Sequence, residues 1–446
     1  MDIVHDTPKD LADLVLSKLD LLKSSYVKPN IETLVKLFEI LFYTSLKTEE
    51  GEFIAVTITL IDPINPDPNP PSTIRPHRWN FIKFDSQIQL DVKSLVKLSK
   101  AADTWSSSLA VYYDDENNLF IWGMIDQAIH SQNYLNHETE YINEQPGLFQ
   151  ATISGIGNIM VLMDYQLMAH LKQNAITKTY LDVFKRGNVS QKIKAFTYKY
   201  KENIKESLNE KFDVFVTDDW DGYVENEIIN SLMRILLRIQ NYGHGGAILI
   251  TDSYTEELSI KYKIDYSRFK DALLNVIKYT IEYDAYSDLI FDDYVNEELS
   301  DIPAETYLGE IKARENKNDT ANELRGAIRF ISSLSRVDGL VIFDEELVVR
   351  GFGSVIRENQ PPKFVYVAKS SIISEANLTK LNSSHFGTRH QSMFSFCWKN
   401  EKSVGFVISQ DGDVRAIARV GKRLILWENI RLQKFTRSKK LKKIEN

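Results

Sequence analysis

The sequence predicts an α/β (α+β) chain: a mixed central sheet flanked by helices in the C-terminal half, and a separate α+β domain before it. Three observations carry this. Helical patterns alternate with short β-branched or aromatic runs in both halves. A charge-dominated stretch, residues 191–211, divides the chain. The 446 residues, 43% hydrophobic and 26% charged, have globular composition and length for more than one domain.

The elements follow in order. Leu11, Leu14, Leu19 and Leu22, then Leu34, Leu37 and Leu41, repeat at helical spacing, and 53–61 (FIAVTITLI) reads as a strand. Pro63, Pro66, Pro68, Pro70 and Pro71 then make a stiff exposed loop. A helix at 92–102 leads to strands 109–113 and 119–122, joined by a hairpin at 114–118. The 191–211 run reads as a solvated helix or connector. Beyond it come an amphipathic helix at 228–239, a strand at 247–251 and a helix at 267–281. Residues 284–313 read as an acidic, irregular insertion. Helix 321–333 then precedes strands at 340–343, 348–351, 363–367, 392–398, 403–409 and 414–419. The expected domains are 1–215, 222–430 and a basic tail, 431–446. A fainter echo links the halves: SLAVYYD at 108–114 with FIWG at 120–123 has the shape of GLVIFD at 339–344 with VVRG at 348–351. In that echo Ser107-Ser108 stands where Asp338-Gly339 stands.

Composition excludes several functions. The net charge of −8 argues against a nucleic-acid partner, although Arg431 to Lys443 is basic. No run reaches the ~18–20 apolar residues of a membrane helix, and the acidic start, MDIVHDTPKDLADLV, is no secretion signal. The lone Cys397 forms no internal disulfide, so a reduced cytoplasmic chain is expected. The histidines form no zinc spacing, and the glycines at 155 and 157 lack a phosphate-loop lysine.

Two segments carry chemistry. Asp338-Gly339 enters the buried strand 340–343, offering a carboxylate at the strand's start beside a residue that lets backbone approach a ligand. Gly387-Thr388-Arg389-His390-Gln391 gathers a hydroxyl, a guanidinium and an imidazole, which are the donors that grip phosphate.

In this order the two resemble the motifs of the diadenylate cyclase (DAC) domain: Asp-Gly-Ala, then Gly-Thr-Arg-His-Arg, then Ser-Glu-Glu. The matches are Asp338-Gly339, Gly387-Thr388-Arg389-His390 and Ser409, and the likeness spans about 222–430. Leu340 stands in place of the alanine, Gln391 in place of the second arginine, and Gln410-Asp411 in place of the acidic pair. The resemblance implies that two ATP molecules are joined into cyclic di-AMP, releasing two pyrophosphates, between two domains that face each other about a two-fold axis. It implies that Asp338 holds Mg²⁺ or Mn²⁺, and that Arg389 and His390 act in catalysis. Gly339, Leu340, Gly387, Thr388, Gln391 and Ser409 would line the nucleotide. The three departures leave open a weakened module that binds nucleotide without turnover. The first half resembles the sensor modules that precede DAC domains, of the type called DACNV, with an unidentified ligand.

Overall fold

The computed structural model describes residues 5–21, 28–67, 79–127, 130–139, 148–163, 166–177, 179–209, 220–253, 257–291, 302–357, 360–410 and 412–435. The later prolines of the expected loop, Asp411 and most of the basic tail lie outside them. The architecture is α+β, in two compact units: residues 1–180 with 433–446, and residues 181–432.

The first unit opens with α1 (Pro8–Leu19) and α2 (Ile31–Ser45). Side chains close both N-termini: Thr7 accepts from the Asp10 amide, and Asn30 from that of Thr33. A short hairpin, β1 (Thr48–Glu49) and β2 (Glu52–Phe53), leads to β3 (Val56–Leu60), β4 (Asn80–Gln89), α3 (Val92–Ser99), β5 (Ser107–Tyr113) and β6 (Leu119–Asp126). Then come α4 (His130–Leu135), β7 (Phe149–Gly155), β8 (Asn158–Met163), β9 (Gln166–Lys172) and β10 (Ala175–Thr177). The sheet runs β10-β9-β8-β7-β3-β5-β6-β4. Leu34, Leu37, Phe38 and Leu41 of α2 pack with Ile58, Leu109, Val111 and Phe149 on one face of it. Each such side chain contributes roughly 1.5–3 kcal/mol on burial.

The second unit comprises α5 (Asn188–Asn209), α6 (Trp220–Asn241), β11 (Gly246–Ile250), β12 (Leu258–Ser259), β13 (Tyr262–Tyr266), α7 (Arg268–Leu289) and α8 (Ala304–Leu334). It continues with β14 (Leu340–Phe343), β15 (Val349–Ile356), β16 (Phe364–Ala368), β17 (Leu378–Asn382), α9 (Thr388–Lys399), β18 (Val404–Ile408), β19 (Val414–Val420) and β20 (Arg423–Trp427). Its sheet runs β12-β15-β14-β11-β18-β19-β20-β16-β17, with β13 also on β15. Ile248, Val341, Phe343 and Phe406 face a core shared with α6, α7 and α8. Leu249, Leu340, Ile342 and Val407 face Met393, Phe394 and Cys397 of α9.

Three expectations need correction. The units divide at residues 180 and 181, not near 215, because Val183, Phe184, Val189 and Ile193 belong to the second unit's core and Phe184 stacks on Phe406. The described part of 284–313 is helical: α7 and α8 pair, and Ala313, Thr320, Leu324, Ala327, Ile328 and Ile331 form a buried stripe. Among its described acidic residues, Asp284, Asp288 and Glu305 are exposed on helices α7 and α8. Residues 392–398 are not a strand but most of α9; its aromatic residues favour strands in isolation, yet His390, Met393, Phe394 and Cys397 recur at helical spacing and are buried together. Cys397 is accordingly a helix residue. Strands β4, β7–β9, β17 and β20 escaped the pattern.

The echo between the halves extends to topology. The path β4-β6-β5-β3-β7-β8-β9 corresponds strand for strand to β13-β15-β14-β11-β18-β19-β20. In each, β3 or β11 pairs in parallel with β5 or β14, and every other neighbour is antiparallel. The hairpin turns agree in detail. Asp114 Oδ1 accepts from the amides of Glu116 and Asn118; Asp344 Oδ1 accepts from those of Glu346 and Val348. Among the described residues no helix is long and apolar enough to cross a membrane.

Buried Cys397 has its thiol pushed up to about 12, chiefly by burial. A thiol reagent is therefore expected to leave the native chain unmodified and to label one equivalent per chain after unfolding. Labelling at equal rates with and without denaturant would contradict this core placement.

Candidate functional site

The candidate residues meet at one edge of the second sheet. Because β11 and β14 run in parallel with Ile248 opposite Val341, the starts of both strands lie there. Asp338-Gly339 enters β14 at this edge, and Gly245-Gly246 enters β11 beside it, about 4.8 Å away across the ladder. Strand β18 runs the other way, with Ile408 opposite Gly246, so Ser409 leaves the sheet at the same edge.

Gly339 is required by the backbone. It has φ +120°, and a Cβ there would come within 2.5 Å of Gly353 C and 2.7 Å of Ser354 N. Asp338 is held at the strand entrance by that close approach and is exposed. Leu340, expected to line the nucleotide, is buried against the α9 core instead, 6% exposed. It packs on the face of β14 that α9 covers.

Helix α9 delivers the second motif. Gly387 is its N-cap, without a side-chain cap, and the space around it is open. The amides of the first turn therefore keep free hydrogen-bonding capacity at the positive end of a 12-residue helix, with Thr388 exposed there. Arg389 reaches the sheet edge: a Cβ on Gly245 would sit 2.7 Å from its Nη1, 2.8 Å from the Ile408 carbonyl and 3.3 Å from the Gln410 amide. Gly245, at φ +68°, is the residue that leaves room for this guanidinium. Asp338 and Arg389 thus flank neighbouring strand entrances.

Three candidates are committed elsewhere. His390 is buried between Phe386 and Phe394, and its Nε2 lies 3.1 Å from Arg415 Nη1. Since a guanidinium only donates, Nε2 accepts and the proton of the neutral ring sits on Nδ1. Burial, with Arg415 and Arg389 nearby, pushes His390 down to about 4. The ring therefore positions α9 and adds no positive charge at neutral pH. Gln391 donates from Nε2 to the Phe386 carbonyl at 2.7 Å, a bond that turns its amide toward its own loop. The Ser409 hydroxyl accepts from the Asp413 amide at 3.1 Å and closes the β18–β19 turn.

Sequence reasoning missed Gly245 and Arg415. The run Gly243-His244-Gly245-Gly246 before a strand was a signal for the first. An arginine amid the apolar residues of 414–418 was one for the second. Arg415 pairs with Glu428 at 3.0 Å and with Asp413 at 3.8 Å, so its charge is spent inside the fold.

Residues 23–126 match the family model described as the probable sensor domain DACNV. That sensor-type segment lies in the first unit, as the sequence resemblance implied. No curated protein matches the chain.

Among the described residues, the site offers a divalent cation the Asp338 carboxylate. Among the described residues no three His, Cys, Asp or Glu side chains gather into a metal cluster. That donor set fits a Mg²⁺ or Mn²⁺ ion that keeps its waters and arrives with polyphosphate, rather than one caged by protein.

Two buried histidines, His170 and His390, make stability depend on pH. His170 is pushed down to about 3 and His390 to about 4, from 6.5, burial being the main cause in each. Below pH 6.5 the unfolded chain takes up protons that the folded chain refuses, so stability is full above 6.5 and declines as pH falls toward 4. Urea titrations from pH 7 to 4.5 are expected to give a shallower decline for His390→Asn than for the parent chain. An unchanged slope would mean that the ring is already charged in the native state.

Proposed function

We propose that the second unit binds ATP and joins two ATP molecules into cyclic di-AMP, and that the first unit regulates it as a sensor. The observation that supports this best is the common sheet edge where the Arg389 guanidinium, seated against Gly245, adjoins the entrance held by Asp338-Gly339. The sensor-family match in the first unit agrees with it.

In this reading the triphosphate lies on the first-turn amides of α9 and on Arg389, where a helix N-terminus and a planar cation favour phosphate oxygens. Thr388 adds a hydroxyl donor. The ribose sits toward Gly339, where no side chain intervenes. The 3′-hydroxyl of one ATP attacks the α-phosphate of the other and pyrophosphate leaves. Two domains must therefore face each other, each supplying one nucleotide, and proximity accounts for much of the acceleration. Asp338 accepts the hydroxyl proton or orients the cation; Mg²⁺ or Mn²⁺, when bound, supplies charge neutralisation at the phosphates. Arg389 stabilises the charge that develops there. His390 acts as a positioning residue. We place the protein in the reduced cytoplasm, where its one buried thiol and its ATP supply are both at home.

The inward-turned Gln391 amide and the uncharged His390 favour a second reading, a module that binds nucleotide without turnover. Mass analysis after incubation with ATP and Mn²⁺, across a range of protein concentrations, separates them. Cyclic di-AMP whose specific rate rises with protein concentration supports the cyclase. Saturable ATP binding with no product supports the module.

A further inference from the structure

The ends of α6 and α8 bring one more charge to the sheet edge of the second unit. A Cβ on Gly246 would sit 2.8 Å from Ile239 Cγ2 of α6 and 3.4 Å from Cβ of Ser335, the residue after α8. The next residue, Arg336, is exposed, and Asp338 follows two positions on. Its guanidinium lies over the ring of Tyr242, the residue after α6, 5.5 Å from the centroid. Arg389 reaches the same edge from the α9 face of the sheet, and Arg336 from the face that α6 and α8 cover.

Three charged side chains at this edge are unpaired. Elsewhere in the unit Arg268, Arg350 and Arg423 each pair with a carboxylate. Among the described residues Arg336, Asp338 and Arg389 have no ion pair, and Arg336 and Asp338 do not pair with each other although they are two residues apart. Tyr242 gives Arg336 a cation–π contact, which is weak where water reaches it. An unpaired guanidinium is by itself common on a surface. The charge balance of the site gives this one a role. In the first turn of α9, Gln391 is neutral and burial keeps the His390 ring neutral at pH 7, so Arg389 alone is positive there. Arg415, the cation behind His390, is committed to Glu428. One guanidinium would then face a whole triphosphate.

We infer that Arg336 is a second phosphate-binding residue of this site: it leaves the Tyr242 ring and takes the terminal phosphates of the bound nucleotide, while Arg389 and the α9 amides hold the phosphates nearer the ribose. A planar, permanently charged fork suits phosphate oxygens, and its tether to an exposed ring is easily exchanged for them. The edge then prefers a nucleoside triphosphate to a monophosphate. This inference rests on the nucleotide reading of the second unit.

Equilibrium dialysis of the full chain with labelled ATP, and separately with labelled AMP, both with Mg²⁺, tests this. The parent chain is expected to bind both saturably, ATP more tightly. Arg336→Ala is expected to weaken ATP at least about tenfold, the loss that follows removal of a hydrogen bond to a charged group, and AMP by less than about twofold. Arg336→Lys keeps the charge and recovers part of the loss. Arg329→Ala, which removes an exposed arginine farther back on α8, changes neither affinity. ATP affinity in Arg336→Ala within about twofold of the parent overturns the inference. So does an equal loss for ATP and AMP, which would mark a structural or long-range effect. No saturable ATP binding by the parent chain defeats the nucleotide reading itself, and that result is read before any variant is made.

Discussion

Asp338→Asn is expected to lower cyclic di-AMP formation on the order of 10²–10⁴-fold, the range lost when a positioned acid–base group is removed. The substitution keeps the shape of the side chain and removes only its charge and basicity. Asp338 is exposed, and the backbone around it is held by Gly339, so stability is expected to change by no more than about 0.5 kcal/mol. ATP binding through Arg389 and the α9 amides persists, and the measured loss falls on turnover. An unchanged rate in the variant would remove the carboxylate from the chemistry. A parallel collapse of the melting temperature would make it a structural residue.

Gly339→Ala is expected to be the most destabilising single-methyl change at the site, by about 2–4 kcal/mol in urea titrations. Two effects add. The φ of +120° is one that side chains avoid, and the new carbon would meet the backbone of Gly353 and Ser354 at 2.5–2.7 Å. Backbone cannot rotate away as a flexible side chain does, so β14 or β15 must shift, and the entrance that presents Asp338 shifts with it. Gly387→Ala is the contrast. Its φ is −65°, nothing crowds it, and about 1 kcal/mol or less of helix capping is at stake. Equal losses in both variants would mean that the strand entrance tolerates a side chain.

Local chemistry was legible wherever a short pattern decides the conformation. The hairpin at 114–118 and strand β14 follow from turn residues between apolar runs, and helices α2 and α6 from their apolar stripes. Residues 392–398 were opaque because aromatic propensity and helical spacing conflict there, and tertiary packing on the sheet decided for the helix. Residues 304–313 were opaque for a related reason: the first turns of α8 bury only a narrow stripe and show mostly solvent-facing residues in sequence.

In the candidate site, the motifs pointed to Asp338, Gly339 and Arg389, but not to what each side chain touches. That Leu340 turns into the core, that Gln391 bonds its own loop and that His390 is pinned by Arg415 depend on partners remote in sequence. Gly245 lies 144 residues from Arg389 in numbering, yet they meet because β11 and the α9 end share one sheet edge. The doubling of the fold was visible as a single pair of similar segments; the strand order extends it to seven strands in each unit.

A crystal structure of the full chain with Mg²⁺ and a 3′-deoxy analogue of ATP, which binds but cannot react, bears most directly on the shared site. The expected density has phosphate oxygens on the α9 first-turn amides and on Arg389, the ribose beside Gly339, and the cation between phosphate and Asp338. Nucleotide bound away from that edge, or none at saturating analogue, would contradict it.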